Sequence, residues 1–132
     1  MALYLDSSAL VKLVAVEKES DELEAFVGNR RIVSSEIART EVVRAVVRRH
    51  VALAELAEDL LADMSFIVVD TVATMSAAWV RPWSVRSLDA LHIASAKQLR
   101  GNLEALVTYD QRMIEAGREA GLPVASPGGA AA

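Results

Sequence analysis

The sequence predicts an α/β fold in which a central, mostly parallel β-sheet is flanked by α-helices. Short apolar runs of strand length alternate with longer stretches at helical spacing, which is typical of a parallel sheet. Of the 132 residues, 53% are hydrophobic but only 5% are aromatic, a composition that favours helices packed on a small sheet. The length suits one domain. We assign it to residues 1–125 and expect residues 126–132, a small-residue tail, to be disordered.

The predicted elements follow one another without an internal repeat or a linker. In the first half, strands are predicted at residues 2–5 and 32–34, and helices at 9–16, 21–28, 35–49 and 53–64. In the second half, strands are predicted at 65–69, 106–108 and 123–125, helices at 71–80, 88–100 and 111–120, and a loop at 81–86. Four residues are predicted N-caps, because Ser and Asp are favoured there: Ser20, Ser35, Asp70 and Ser87.

Composition excludes several kinds of site. The chain has no cysteine, which rules out disulfides and thiolate metal ligands, and with only two histidines a zinc site is disfavoured. No apolar run approaches the length of a transmembrane helix, and the first residues lack the basic segment of a signal peptide. We therefore expect a cytoplasmic protein without membrane association. The net charge of −4 argues against a broad basic surface but leaves room for a local basic patch.

Three predicted strands are followed by an aspartate, and in α/β sheets ligands bind at the carboxyl ends of the strands. Asp70 is interpreted as a plain helix cap. Asp6 differs, because Ser7 and Ser8 follow it and their hydroxyls can orient a carboxylate. Asp110 receives the same kind of support from Thr108, although a capping role for Asp110 stays open.

Two further acids lie on helices. Asp89 enters a helix that is apolar on almost every face, where an unpaired charge is costly. The simpler interpretation is that Asp89 complements the helix dipole. Glu41 lies on an apolar stripe of its helix, and an ion pair with Arg44 is the simpler alternative there.

Taken together, Asp6, Glu41, Asp89 and Asp110 come from four separate elements and can meet at one place. Like charges resist such crowding unless a cation is present, and an all-oxygen set favours Mg²⁺ or Mn²⁺. His92, one turn after Asp89, is interpreted as a core residue that hydrogen-bonds the site rather than as a ligand.

Four segments, in this order and spacing, carry a resemblance to a known family. They are residues 4–13, 35–45, 88–96 and 106–110, and they span nearly the whole chain. The chain resembles the PIN-domain proteins and, within them, the VapC-type toxins of bacterial toxin–antitoxin pairs.

The resemblance implies a PIN fold and a Mg²⁺- or Mn²⁺-dependent endoribonuclease that leaves a 5′-phosphate and a 3′-hydroxyl. It implies that Asp6 and Asp89 are metal ligands, that Glu41 and Asp110 complete the site, and that Ser8 and Thr108 support it. It also implies a cognate VapB-type antitoxin that lays a chain across the acidic pocket.

Basic and apolar residues suggest further contacts. Arg44, Arg81, Trp83 and Arg86 are candidate RNA contacts, with Trp83 offering a stacking face. The simpler alternative is a solvated basic face and a tryptophan packed under a loop. The apolar helices through Glu41 and Leu60 predict patches that a second subunit of a homodimer, or the antitoxin, covers.

Two other functions remain open at this point. One is a catalytically silent PIN-like module that binds RNA or a protein. The other is a phosphatase-like protein with Asp6 as nucleophile, which would need a second acid where Ser8 stands.

Overall fold

The computed structural model describes residues 1–129 and confirms the predicted α/β class. Within these residues, five strands form one all-parallel sheet in the order β3-β2-β1-β4-β5. The strands are β1 (Ala2–Leu5), β2 (Arg31–Ser35), β3 (Ser65–Ile67), β4 (Leu103–Val107) and β5 (Val124–Ala125). Because the strand order reverses beside β1, the crevice between the carboxyl ends of β1 and β4 is the expected place for a ligand.

Helices cover both faces of this sheet. They are α1 (Ser7–Val14), α2 (Ser20–Val27), α3 (Ala38–Arg49), α4 (Ala54–Ala62), α5 (Thr71–Ala77), α6 (Ser87–Lys97) and α7 (Gln111–Glu119). Side chains alternate along β1, so that Leu3 and Leu5 pack with α1 to α4 while Tyr4 packs with α6 and α7. Helix α5 packs on α6. Helices on both faces of the sheet can therefore place side chains at the carboxyl end of β1.

Aspartates begin three of the helices. Asp70 accepts a hydrogen bond from the Ala73 amide and caps α5, which confirms the predicted cap. Asp6 caps α1 and Asp110 caps α7 in the same way. A capping aspartate can still offer its second oxygen to other partners.

The three predicted serine caps are wrong. Ser20 is buried inside the first turn of α2, where its hydroxyl donates to the Lys12 carbonyl. Ser35 remains in β2, since it pairs with β3, and α3 begins after Ile37. Ser87 is the first residue of α6 and Arg86 takes the capping position. Hydroxyls with other partners, or strand pairing that continues past the serine, override the local preference.

Element ends also differ from the prediction. Strand β4 begins at Leu103 rather than residue 106, because Glu104 turns outward and forms an ion pair with Arg30 at 2.8 Å. The acid interrupts the apolar pattern without interrupting the strand.

The chain after β5 makes contacts near the end of β4. Ser126 donates a hydrogen bond to the Thr108 carbonyl, and the Tyr109 hydroxyl donates to the Pro127 carbonyl. Residues 130–132 of the predicted tail lie outside the described residues, so the expectation of disorder there stays a prediction. Among the helices of the described chain, none is long and apolar enough to cross a membrane.

Candidate active site

Asp6 lies at the end of β1 and is 4% exposed. Its Oδ1 accepts hydrogen bonds from the Ser8 hydroxyl at 2.6 Å and the Ala9 amide at 3.1 Å. Its Oδ2 accepts from the Thr108 hydroxyl at 2.5 Å. Burial raises the pKa of Asp6, and these donors and the charge of His92 oppose that rise. The carboxylate is thus held in one orientation by β1, α1 and the end of β4.

Glu41 approaches the same edge from α3. Its Oε1 accepts hydrogen bonds from the Ser7 hydroxyl at 2.6 Å and from His92 Nε2 at 2.7 Å. Burial alone would raise the pKa of Glu41, but the hydrogen bond and charge of His92, with the Ser7 hydroxyl, bring it below its usual value. Within the described residues Glu41 forms no ion pair with Arg44, and its nitrogen partner is His92 instead.

Asp89 lies in the first turn of α6 and is half-buried. Its pKa is raised by burial and by the negative charge of Asp110, and further by Asp6 and Glu41, while His92 opposes the rise. The other three acids are therefore near enough to disfavour a charge on Asp89. Asp110 is exposed, and its Oδ1 is occupied by the Arg112 amide of α7 at 2.8 Å.

The residues fit a divalent cation in chemistry but are not closed around one. The described part of the chain holds no set of three or more acidic or histidine side chains already gathered for metal binding. Hydrogen bonds hold Asp6, Glu41 and Asp110 separately, and the charges of these three acids help to raise the pKa of Asp89. Mg²⁺ or Mn²⁺, which prefer oxygen ligands, would relieve the repulsion acting on such a set of carboxylates.

A cleft of about 480 Å³ opens beside Glu41. Ser7, Ser8 and Leu88 line it together with two arginines of α3, Arg44 and Arg48. A second cleft of about 360 Å³ shares Ser8 and reaches Asp110. Glu41 and Asp110 thus border open space with basic residues at its rim, which suits a polyanionic ligand.

The other candidate RNA contacts lie apart from these clefts. Arg81 stacks on Trp83, with 5.4 Å from the guanidinium to the ring centroid, and approaches Glu119 at 3.7 Å. Trp83 lines a different cleft with residues of α5 and α6. Arg86 is exposed at the start of α6. Neither Arg81 nor Trp83 lines the space beside Glu41.

The exposed apolar side chains lie only partly where the sequence predicted them. Helix α3, which carries Glu41, exposes no large hydrophobic residue, because its valines pack on α1 and α4. The helix through Leu60 does expose Leu56. The larger group belongs to α5 and the residues after it, namely Val72, Met75, Trp79 and Trp83. A pattern of apolar residues in one helix does not show which neighbour covers them.

Sequence reasoning missed two hydroxyl groups. Ser7 was expected to support Asp6, but its hydroxyl donates to Glu41. The predicted apolar strand gives Tyr4 no polar role, yet its hydroxyl lies 2.7 Å from His92 Nδ1. The available signal was the alternation of side chains along β1, which places Tyr4 on the face covered by α6, the helix that carries His92.

Comparison with known proteins places these features in a family. A family model described as PIN domain matches residues 3–119. The chain is 39% identical to ribonuclease VapC46 of Mycobacterium tuberculosis, across 96% of this chain and 98% of that protein. It is 35% identical to ribonuclease VapC47 of the same species, across 96% and 97%.

Solved structures share the fold. A toxin–antitoxin complex from Klebsiella pneumoniae superposes with a TM-score of 0.68 at 24% identity, covering 96% of this chain and 98% of the other. The VapBC2 complex of Rickettsia felis, bound to a fragment of its promoter DNA, superposes with a TM-score of 0.70 at 19% identity, covering 95% and 98%. At these identities the likeness concerns the fold.

Proposed function

The chain belongs to the PIN-domain family, and from that premise we propose that it is a metal-dependent endoribonuclease, the toxin of a VapBC-type toxin–antitoxin pair. The observation that carries the proposal is that acids from separate elements approach one another at the carboxyl ends of β1 and β4. Asp6 follows β1, Glu41 of α3 accepts from the neighbouring Ser7 hydroxyl, and the pKa of Asp89 is raised by burial and by the charges of the other three acids. Such an arrangement is costly for the protein alone, and a bound cation would offset that cost.

In this proposal Asp6 and Asp89 are the principal metal ligands, and Glu41 and Asp110 complete the set. Ser8 and Thr108 hold the Asp6 carboxylate so that its charge stays at the end of β1. When bound, Mg²⁺ or Mn²⁺ would lower the pKa of a water molecule and neutralise charge on the scissile phosphate. Glu41 and Asp110, each of which lines a cleft that Ser8 also lines, would help to orient that water.

The RNA is proposed to lie in the clefts beside Ser8. Arg44 lines the cleft next to Glu41 and is positioned to contact a phosphate. The relatives named as ribonucleases and the folds found in toxin–antitoxin complexes support an RNA substrate and a VapB-type antitoxin partner. The exposed apolar group on α5 supports a homodimer contact.

The test is cleavage of total cellular RNA by the purified protein with Mn²⁺, with Mg²⁺ or with EDTA. Discrete fragments are expected with metal and none with EDTA. Asp89→Asn should abolish them. Asp70→Asn is the matched control, because Asp70 caps a helix at a strand end but lies outside the acidic set. Wild-type cleavage by the Asp89→Asn protein would refute the site.

One observation favours a second candidate. Since the acids are not gathered around a point in the described chain, a PIN-like module that binds RNA without cleaving it fits the same geometry. RNA binding that persists in EDTA, with no cleavage under Mn²⁺, would establish that function instead.

A further inference from the structure

A buried chain of hydrogen bonds joins three elements that carry the acids. It runs from the Tyr4 hydroxyl to His92 Nδ1 at 2.7 Å and from His92 Nε2 to Glu41 Oε1 at 2.7 Å. The Ser7 hydroxyl donates to the same Glu41 oxygen. Tyr4 lies two residues before Asp6, and His92 lies three residues after Asp89. These hydrogen bonds therefore link β1, α6 and α3 directly beside the proposed ligands.

The direction of the bond to Glu41 follows from the chemistry of the groups. An ionised carboxylate only accepts, so His92 Nε2 must carry a proton and donate. At the other ring nitrogen, Nδ1 lies 2.7 Å from the Tyr4 hydroxyl, within hydrogen-bond distance. Tyr4 thus fixes the ring so that Nε2 points at Glu41.

Burial makes this arrangement stiff. Tyr4 is 0% exposed and His92 is 1% exposed, so neither ring has room to turn. The two rings also meet edge to face, with centroids 5.8 Å apart. Glu41, by contrast, lies on the border of the cleft and would be free to change rotamer without these donors.

The two oxygens of Glu41 are consequently unequal. Oε1 accepts from both Ser7 and His92, whereas Oε2 accepts no hydrogen bond from any residue in the range 1–129. The donors saturate one side of the carboxylate and leave the other side open.

We propose that Tyr4 and His92 are positioning residues, which hold Glu41 through its Oε1 so that Oε2 is presented to a divalent cation shared with the other acids. The inference rests on the proposed function and deepens it. His92 contacts neither metal nor RNA in this arrangement. It acts through Glu41, and Tyr4 acts through His92.

The first test is Tyr4→Phe, which removes one hydroxyl and keeps the ring. We expect the dissociation constant for Mn²⁺, measured by titration calorimetry, to rise about tenfold, the usual cost of losing a partner behind a ligand. Cleavage at saturating Mn²⁺ should return towards the wild-type rate. Tyr109→Phe is the matched control, since it also removes a tyrosine hydroxyl hydrogen bond, and its Mn²⁺ affinity should match wild type.

The second test compares two amides at position 92. His92→Gln can place an N–H near the former Nε2 and keep the donor to Glu41, whereas the shorter side chain of His92→Asn reaches only the position of Nδ1. We expect Mn²⁺ affinity near wild type for Gln and a loss of about tenfold or more for Asn. The unfolding temperature of both variants should fall, because each buries a new amide.

The outcomes separate this inference from the function on which it rests. If the wild-type protein binds no Mn²⁺ and cleaves no RNA, the proposed function and the inference both fall. If wild type binds and cleaves, but Tyr4→Phe binds Mn²⁺ like wild type or Gln and Asn at position 92 behave alike, only the inference falls. A merely structural role would lower the unfolding temperature without separating the two amides in Mn²⁺ affinity.

Discussion

The proposed metal site has two halves that the fold treats differently. Asp6 and Glu41 are each held by side-chain donors, from Ser8 and Thr108 in one case and from Ser7 and His92 in the other. Asp89 lies in the first turn of α6 and Asp110 caps α7, and within the described residues no side chain donates a hydrogen bond to either.

This difference teaches where order in the site comes from. In the first half, hydrogen-bond donors compensate for burial and fix the carboxylates before any ligand arrives. In the second half, Asp89 has no such donor, and burial together with the charges of the other acids raises its pKa. The first half is expected to act as a rigid platform, and Asp89 is expected to move inwards when a cation neutralises the repulsion.

The largest effects should come from deleting one acid from each half. Both Asp6→Ala and Asp89→Ala should abolish RNA cleavage. Only Asp6→Ala should also lower the free energy of unfolding, by about 1–2 kcal/mol, because it removes the cap of α1 and leaves the Thr108 hydroxyl without its acceptor. Chemical denaturation without divalent ions measures this difference.

Equal stability losses in the two alanine variants would break the comparison, since both halves would then be held alike. Circular dichroism of each variant provides the control for folding.

A smaller effect is expected from Thr108→Val, which removes a hydroxyl and keeps the side-chain shape. Asp6 then loses the donor to its Oδ2, and we expect metal-dependent cleavage to fall about 10–100-fold, less than for removal of the acid itself. Thr74→Val, whose hydroxyl donates to a carbonyl within α5, is the matched control. An unchanged rate in Thr108→Val would show that Asp6 needs no support from β4.

Most of the fold was predictable because its signals are local. Apolar runs indicated the strands, and the helix cap predicted at Asp70 and left open at Asp110 is present at both residues. The serine caps failed because tertiary partners decide them: Ser20 bonds to a carbonyl eight residues earlier, and Ser35 pairs across to β3. A residue with several possible partners is not assigned by its neighbours in sequence.

The site divides in the same way. The four acids could be proposed from strand ends and helix faces, but the donors to Glu41 could not. The bond from His92 to Glu41 spans 51 positions in sequence, and the bond from Tyr4 to His92 spans 88. Such contacts depend on how α3 and α6 approach across the edge of the sheet, which no local pattern encodes.

The rim of the clefts offers a contrast between two arginines. Arg44 lines the cleft beside Glu41, whereas Arg81 stacks on Trp83 and approaches Glu119. Both variants are compared in a protein that also carries Asp89→Asn, which prevents cleavage. We expect Arg44→Ala to weaken RNA binding severalfold. The slope of the logarithm of the RNA-binding constant against the logarithm of salt concentration should fall by about one, the loss of one phosphate contact. Arg81→Ala should leave binding unchanged. A larger effect of Arg81→Ala would move the RNA to the α5 side.

The smallest effect concerns stability and pH, and it isolates the second half of the site. The folded protein holds the pKa of Asp89 above its unfolded value of about 3.9, so between the two values the folded state binds more protons and stability falls as pH rises. Asp89→Asn lacks this loss. In EDTA the unfolding temperature of Asp89→Asn should match wild type near pH 4 and exceed it modestly at pH 7.

Adding Mn²⁺ at 100 times its dissociation constant should reverse the order of the two unfolding temperatures. The ion stabilises only the protein that binds it, by about 2.7 kcal/mol. If Asp89→Asn still unfolded at a higher temperature than wild type at pH 4, the difference would come from helix packing rather than from repulsion among the acids.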